Sequence, residues 1–208
     1  MSTLLLRLAA PMQSWGMESK FSRRATERMP TKSGIVGLCA CALGRKRTEP
    51  LDDLTALCFG ARADRQGELL IDFQTAKPSD KISKNPFISH RHYLADAVFL
   101  VGLGSEDDGF LHAVAEALRS PQYPLFLGRR SCPPTLPLVL GVRPLPLREA
   151  LMQEPPLCSA TNLPIMLDAQ GEGNPRRDLP RSFSQERREY IFRSVEEGSY
   201  VYHANQTE

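Results

Sequence analysis

The stretch Pro30-Thr31-Lys32-Ser33-Gly34-Ile35-Val36-Gly37-Leu38-Cys39-Ala40-Cys41-Ala42-Leu43-Gly44 decides how the rest of the chain is read. Ser33 is placed to cap a helix with Ile35, Val36, Leu38, Cys39, Ala42 and Leu43 on its apolar face, and Gly44 to end it in a left-handed turn. So apolar a helix is mostly buried, which leaves its amino end as the exposed part. There the first turn has backbone N–H groups without partners, Gly34 admits another backbone, and Lys32 adds a charge; together they suit a phosphate. The same residues also describe an ordinary capped core helix, and the neighbourhood bears on which reading holds.

Before the helix, Leu4-Leu5-Leu6-Arg7-Leu8 reads as a buried strand, stopped by Pro11. Met12 to Gly16 is a turn carrying the single tryptophan, Trp15, and Met17 to Met29 has no clear period and reads as a loop. Lys20, Arg23, Arg24, Arg28 and Lys32 face only Glu18 and Glu27 in this region. A basic loop with Trp15 and Phe21 can stack on bases while its arginines hold phosphates, although Trp15 serves equally well as a core plug.

After the helix, Leu51, Leu54 and Leu57 space as one face of a second short helix, and Leu69 to Phe73 reads as a strand. Thr75 to Ser89 reads as an extended loop or loose hairpin projecting from the body. Tyr93 to Leu103 is apolar enough to be central in a sheet. Phe110, Leu111, Val114, Ala115 and Leu118 form an amphipathic helix with Glu106, Asp107 and Asp108 at its amino end. Leu125 to Leu127 is a short strand or turn, and Leu138 to Leu140 a strand. Strand, helix, strand, strand, helix, strand predicts an α+β, ferredoxin-like (RRM-like) sheet with two helices on one face. The expectation is a single unit over residues 1–208, with a projection at about 75–92 and an irregular C-terminal extension over about 145–208. In that extension Leu163 to Leu167 and Tyr190 to Val195 read as added strands, separated by a polar, mobile Gln170 to Asp178.

Composition excludes several classes. The 41% apolar share of these 208 residues is ordinary, and no run is long enough to cross a bilayer. Met1 to Ala10 is too short, and too soon followed by Pro11, for a secretory signal, so a cytoplasmic protein without a membrane partner is expected. Five cysteines without paired C-x-x-C spacing indicate neither a disulfide framework nor a zinc site. No cofactor is expected: the chain has no phosphate loop, no nucleophile-elbow motif and no repeated carboxylate pattern. The net charge of +2 hides segregation, because the bases above and Arg45, Lys46 and Arg47 stand apart from the acids at 49–53 and 106–108. Such segregation makes a positive face, the footprint of a polyanion.

Four motifs in order carry a more specific signal: Leu6-x-Leu8-Ala9-x-Pro11-Met12-Gln13-x-Trp15-Gly16, Pro30-Thr31-Lys32-Ser33-Gly34-x-x-Gly37, Tyr93-Leu94-x-Asp96, and Tyr123-Pro124-x-x-Leu127-Gly128-Arg129-Arg130-Ser131-Cys132-Pro133. With them the chain resembles the Cas family five subunit of the type I-E CRISPR surveillance complex, Cascade, over most of Met1 to Gly141. The resemblance implies a ferredoxin-like RNA-binding body with a thumb-like projection. It also implies a noncatalytic subunit that caps the complex by gripping the repeat-derived 5′ handle of CRISPR RNA in antiviral defence. Its implied partners are CRISPR RNA, the repeated backbone subunit CasC, the large subunit CasA and, through the complex, foreign target DNA. The related type I-C protein is itself a metal-independent endoribonuclease, which makes cleavage of the CRISPR repeat the alternative function.

The residue chemistry agrees with a grip on a bent single strand. Arg24, Arg28 and Lys32 are the phosphate candidates, beside the Ser33-Gly34 helix start. Arg129 and Arg130 follow Gly128 in a tight turn, where one can fork to a phosphate or base edge while its neighbour points away; either can instead pair with a buried acid. Gln13 can read a base edge through its amide, with Trp15 stacking on that base or packing beneath the loop. Arg91 is the remaining RNA-binding candidate. It belongs to His90-Arg91-His92-Tyr93, the only patch suited to metal-free RNA cleavage. In a strand, however, His90 and His92 face away from Arg91 and Tyr93. Two histidines with no third ligand fall short of a metal site. A general single-strand RNA-binding module is a third possibility, distinguished by its indifference to sequence.

Overall fold

The computed structural model describes residues 1–17, 22–77 and 86–202. Strand β1 (Ser2–Ala9) lies in a seven-stranded sheet between β7 (Val98–Ser105) and β8 (Val139–Arg143), antiparallel to both. Beyond β7 come β4 (Cys58–Arg65), β9 (Asn162–Asp168), β11 (Glu189–Val201) and β10 (Asn174–Ser182), giving the order β10-β11-β9-β4-β7-β1-β8. The leucines of β1, Leu4 to Leu6 and, past Arg7, Leu8, follow one another because the strand is covered on both faces. Leu4, Leu6 and Leu8 enter the larger core with α1 (Lys32–Ala42) and α3 (Asp108–Arg119). Leu5 points the other way, into a smaller core with Leu100, Ile165, Leu167 and the Leu147, Ala150 and Leu151 face of α4 (Leu147–Gln153). Each fully buried leucine of β1 contributes about 1.5–3 kcal/mol of transfer free energy.

The helix expected behind Pro30 is present, but Thr31 rather than Ser33 caps it, accepting from the Gly34 N–H over 3.2 Å. Ser33 reaches only the Thr31 hydroxyl, at 3.4 Å. At the other end Gly44 adopts φ 75° and Arg45 N donates to Ala40 O over 2.9 Å, the left-handed close expected of that glycine. Helix α2 is a single turn, Asp52–Thr55. The acids before α3 act as read, Asp107 accepting from Phe110 N over 2.9 Å. Cys39 and Cys132 are buried, and burial pushes the Cys39 thiol up to about 12, as befits a small core residue.

Three expectations are corrected. Leu69 to Phe73 is not the second strand of the main sheet; that place belongs to β4, whose Arg62 and Asp64 disguise it in the sequence. Both are buried, and Arg62 Nε and Nη2 fork onto Asp64 at 2.7 and 2.9 Å. Arg62 also donates to carbonyls at the end of α4, including Glu154 O at 2.7 Å, and Leu157 N donates to Asp64 at 2.6 Å. The pair thus ties β4 to the segment after α4. The run Tyr93 to Leu103 is two strands in two sheets, divided at Asp96, whose φ of 55° turns the chain. The C-terminal part is not irregular: β9, β10 and β11 extend the main sheet, and 174–178, expected to be mobile, is strand.

The second, smaller sheet is organised on β6 (Phe87–Ala95), with β2 (Met12–Gln13) and β3 (Arg23–Arg24) along one edge and β5 (Glu68–Ala76) antiparallel along the other. The projecting hairpin therefore starts at Glu68 and returns to Ala95, wider than the expected 75–92. Residues 18–21 of the basic loop, with Lys20 and Phe21, and 78–85 of the projecting loop lie outside the described residues.

Candidate nucleic-acid interface

The amino end of α1, first choice for a phosphate, is closed by the protein's own carboxylates. Lys32 N donates to Asp178 Oδ2 over 2.9 Å, and Lys32 Nζ to Asp168 Oδ2 over 2.9 Å. Arg193 joins the two acids, reaching Asp178 from Nε at 2.6 Å and Asp168 from Nη1 at 2.5 Å. Burial works against the Arg193 charge, but hydrogen bonds and attraction from Asp178 and Asp168 outweigh it and raise its pKa. Gly34 does admit a close neighbour, the Trp15 ring: a Cβ on Gly34 would stand 2.9 Å from two of its atoms. Trp15 is 1% exposed and donates from Nε1 to Gln13 Oε1 over 3.2 Å. Gln13 is fully buried and gives its amide hydrogens to Leu8 O and Ala97 O. In the folded chain Lys32, Ser33, Gly34, Gln13 and Trp15 are thus one packing and capping assembly rather than a reading surface.

The remaining candidates divide. Arg24, Arg91 and Arg129 come together on the small sheet. In the parallel pairing of β3 with β6, Arg24 stands opposite Arg91, and Arg129 Nη2 donates to Arg24 O over 2.8 Å. The Arg129 guanidinium lies 4.5 Å above the Tyr93 ring centroid. Arg129 is held there by its turn: Gly128 has φ 84°, and a Cβ at that position would stand 1.6 Å from Ser14 O, so only glycine lets the turn approach so closely. Leu127 N to Cys132 O at 2.7 Å and Cys132 N to Arg129 O at 2.9 Å close the loop. Arg130 points elsewhere, exposed and near Cys41, so the two neighbours diverge as the tight turn suggested. Arg28 is exposed at a shallow groove shared with Glu27, Met29 and Gly198.

Among the described residues no carboxylate lies within ion-pairing distance of Arg23, Arg24, Arg91 or Arg129. Arg91 Nε and Arg129 Nη1 are buried without a hydrogen-bond partner. Leaving such a donor unmet costs about 1–3 kcal/mol, so the arrangement suits an incoming anion. Sequence reasoning counted Arg23 in the basic loop without choosing it as a phosphate candidate, and left Ser131 out. Arg23 lies in register with His90, on the face of β6 away from Arg91 and Tyr93, and Ser131 is near enough to Tyr93 to help lower the pKa of the phenol. The signal for Ser131 was available in its place two residues beyond Arg129.

Strand β6 separates the titratable patch as its period requires. His90 faces Phe73, edge-on at 5.4 Å between centroids, on the side of the sheet opposite Arg91 and Tyr93. Burial, then the charges of Arg23, Arg129 and His90, depress the His92 pKa. Burial resists ionisation of Tyr93, but contacts with Ser131, Arg129 and Arg91 outweigh it and hold the phenol below its usual range. No group of three His, Cys, Asp or Glu side chains able to hold a metal occurs among the described residues, and no helix among them is long and apolar enough to cross a membrane.

A mixed α+β chain whose small sheet presents arginines without acidic partners is, as a class, a candidate polyanion-binding protein. A family model described as CRISPR-associated protein (Cas_Cas5) matches residues 3–196, and the chain belongs to that family. The CRISPR system Cascade subunit CasD of Escherichia coli (strain K12) is 35% identical over 161 residues, 67% of this chain and 70% of that protein. A solved chain of a CRISPR RNA-guided surveillance complex superposes with a TM-score of 0.81 at 32% identity, covering 96% of this chain and 90% of the other. A Cas protein crystal structure superposes with a TM-score of 0.76 at 41% identity, covering 96% and 95%.

Proposed function

We propose that this chain is a noncatalytic, cytoplasmic subunit of a type I-E Cascade that binds and caps the 5′ handle of CRISPR RNA in antiviral defence. The observation that carries the reading is the convergence of Arg24, Arg91 and Arg129 with two guanidinium nitrogens unsatisfied. A bent single strand brings successive phosphates together, and clustered guanidiniums neutralise them. The similarity to CasD and to a surveillance-complex chain supports the cellular setting. The order β1-α1-β4-β7-α3-β8 in sequence, with β8-β1-β7-β4 adjacent in space, supports a ferredoxin-like RNA-binding body. On this reading residues 1–208 act as one unit and the β5–β6 hairpin is its thumb. Arg28 and Arg130 lie at the margins of the RNA path, CasC and CasA are the neighbours, and target DNA is met only through the complex.

A single observation favours the endoribonuclease alternative: a Tyr93 phenol held below its usual range beside Arg129. Incubating the chain with end-labelled repeat RNA in excess chelator separates the two. Intact, retained RNA is the expected result. A single discrete cut, lost with Tyr93→Phe, would establish the processing enzyme instead.

A further inference from the structure

We infer that the unassembled chain forms a two-fold pair with a second copy of itself, β5 against β5, centred on Ile71. The pairing uses the outer edge of the β5–β6 hairpin and does not depend on RNA.

Along one edge β5 is paired with β6, and among the described residues no strand lies along the other. Every second residue on that open edge turns its N–H and C=O outward, a template for another strand. Proteins ordinarily blunt such an edge with proline, lysine, a bulge or a short strand. None of these devices is present in β5, whose nine residues, Glu68-Leu69-Leu70-Ile71-Asp72-Phe73-Gln74-Thr75-Ala76, keep an unbroken register with β6. Its exposed side chains are largely apolar. Leu69, Ile71 and Phe73 share one face, Ile71 is 57% and Phe73 58% exposed, and Ile88 continues the stripe on β6 opposite Thr75.

The residues of β5 select the occupant. Antiparallel pairing about a two-fold axis sets residues equally far from the axis opposite one another and keeps like faces together. Centred on Asp72, the pair would face that acid with its own copy; centred on Leu70, it would face Glu68 with Asp72. Like charges directly opposite destabilise a sheet. Centred on Ile71, Glu68 meets Gln74, Leu70 meets Asp72, Leu69 meets Phe73 and Ile71 meets its own copy. No acid then faces an acid, and the exposed apolar stripe of each copy meets only apolar partners. Centring on Phe73 also separates the acids, but it sets Ile71 against Thr75 and Leu69 against Lys77, beyond the strand. The contact is isologous and uses up both open edges, so it closes at two copies. An edge accepts one neighbour, so the pair belongs to the unassembled chain and must open before β5 meets another surface.

Sedimentation of the purified full chain over a concentration series, without RNA, tests the pair. A contact this small is expected to dissociate at roughly 1–100 µM. Ile71→Lys sets two ammonium groups on the axis and should sediment as a monomer throughout, with the Tm of wild type because the position is exposed. Ile71→Cys should cross-link into a covalent dimer on mild oxidation, since residues on the axis have Cα atoms about 4.5–5.5 Å apart, within disulfide reach. Leu70→Cys, on the same strand, lies diagonal to its copy at about 7–8 Å and should cross-link no more than wild type, whose own cysteines set the background. A monomer at every concentration overturns the pair, as does a dimer indifferent to Ile71→Lys or one cross-linked equally well from both positions. A monomeric chain whose Ile71→Lys variant fails to enter the complex assigns the edge to a neighbouring subunit and overturns the pair likewise.

Discussion

Lys32 Nζ and Asp168 Oδ2 are 2.9 Å apart, the lysine buried and the carboxylate half-buried, and the same oxygen accepts the Phe59 N–H over 2.8 Å. One carboxylate thereby joins α1, β4 and, through Arg193, β11. A lysine that the sequence places at a phosphate site is instead the buried fastener between the body and the C-terminal strands.

Lys32→Ala should accordingly act on stability. Asp168 keeps Arg193 and Phe59 N, so the loss is expected at about 1–3 kcal/mol, with a fall in Tm of roughly 3–10 °C. The folded variant should bind handle RNA as wild type does. Thermal melting with RNA titration below the melting range checks both, and weakened binding at an unchanged Tm would return Lys32 to the RNA path.

Arg24→Gln combined with Arg91→Gln should behave in the opposite way. Removing two phosphate contacts from a single-strand site should flatten the slope of log K against log salt by roughly 1.4. Relief of the like-charge pair should leave stability unchanged or raise it by about 0.2–1 kcal/mol. Binding isotherms across a salt series and a denaturant melt read the two effects, and an undiminished slope would remove both arginines from the interface.

His92 predicts an acid-sensitive fold. Its pKa is lowered in the native state by burial and by Arg23, Arg129 and His90, so below the ordinary value of 6.5 the unfolded chain takes up a proton that the native chain refuses. Stability from this group is fully present above 6.5 and is lost as pH falls from there through the native pKa. Urea midpoints at intervals between pH 7.5 and 5 should decline, and His92→Gln should flatten the decline within that window. Bound RNA, by offsetting the arginine charges, should raise the His92 pKa and make binding take up protons.

Gly128→Ala should lose both fold and function. A methyl 1.6 Å from Ser14 O at φ 84° forces the turn away from β2, at a cost of about 1–3 kcal/mol in backbone strain alone. Arg129 moves with it, so RNA affinity should fall even below the variant's melting temperature. Arg130→Ala, exposed on the same turn, should leave stability untouched, and comparing the two by melting and RNA binding isolates the effect of turn geometry.

What was legible followed from local chemistry. The leucines of β1, the amphipathic α3 with Asp107 before it, and Gly44 beyond α1 each write their structure into neighbouring residues, because burial period and capping act over one or two turns. The second sheet strand was not legible. Gly60, Arg62 and Asp64 are poor strand signals, and their burial makes sense only once Arg62 finds Asp64 and the carbonyls near residue 154. The order of β10 was hidden for the same reason: Asp178 looks as solvated as its neighbours until Arg193 and Lys32 N arrive to bury it.

By itself the sequence determined the alternation of strands and helices, the buried α1, the clustering of positive charge and, through four ordered motifs, the family. Each rests on composition or on spacing along one segment. Tertiary structure alone decided which cations are available. Lys32 and Arg24 are equally basic in the sequence, yet Asp168, 136 residues away, neutralises one. The other lies beside Arg91 and beneath a hydrogen bond from Arg129, 105 residues away, with no acid in reach among the described residues. Charge is a property of a residue, but its freedom depends on what the fold brings within a few ångströms, and Coulomb attraction across that distance outweighs any local pattern.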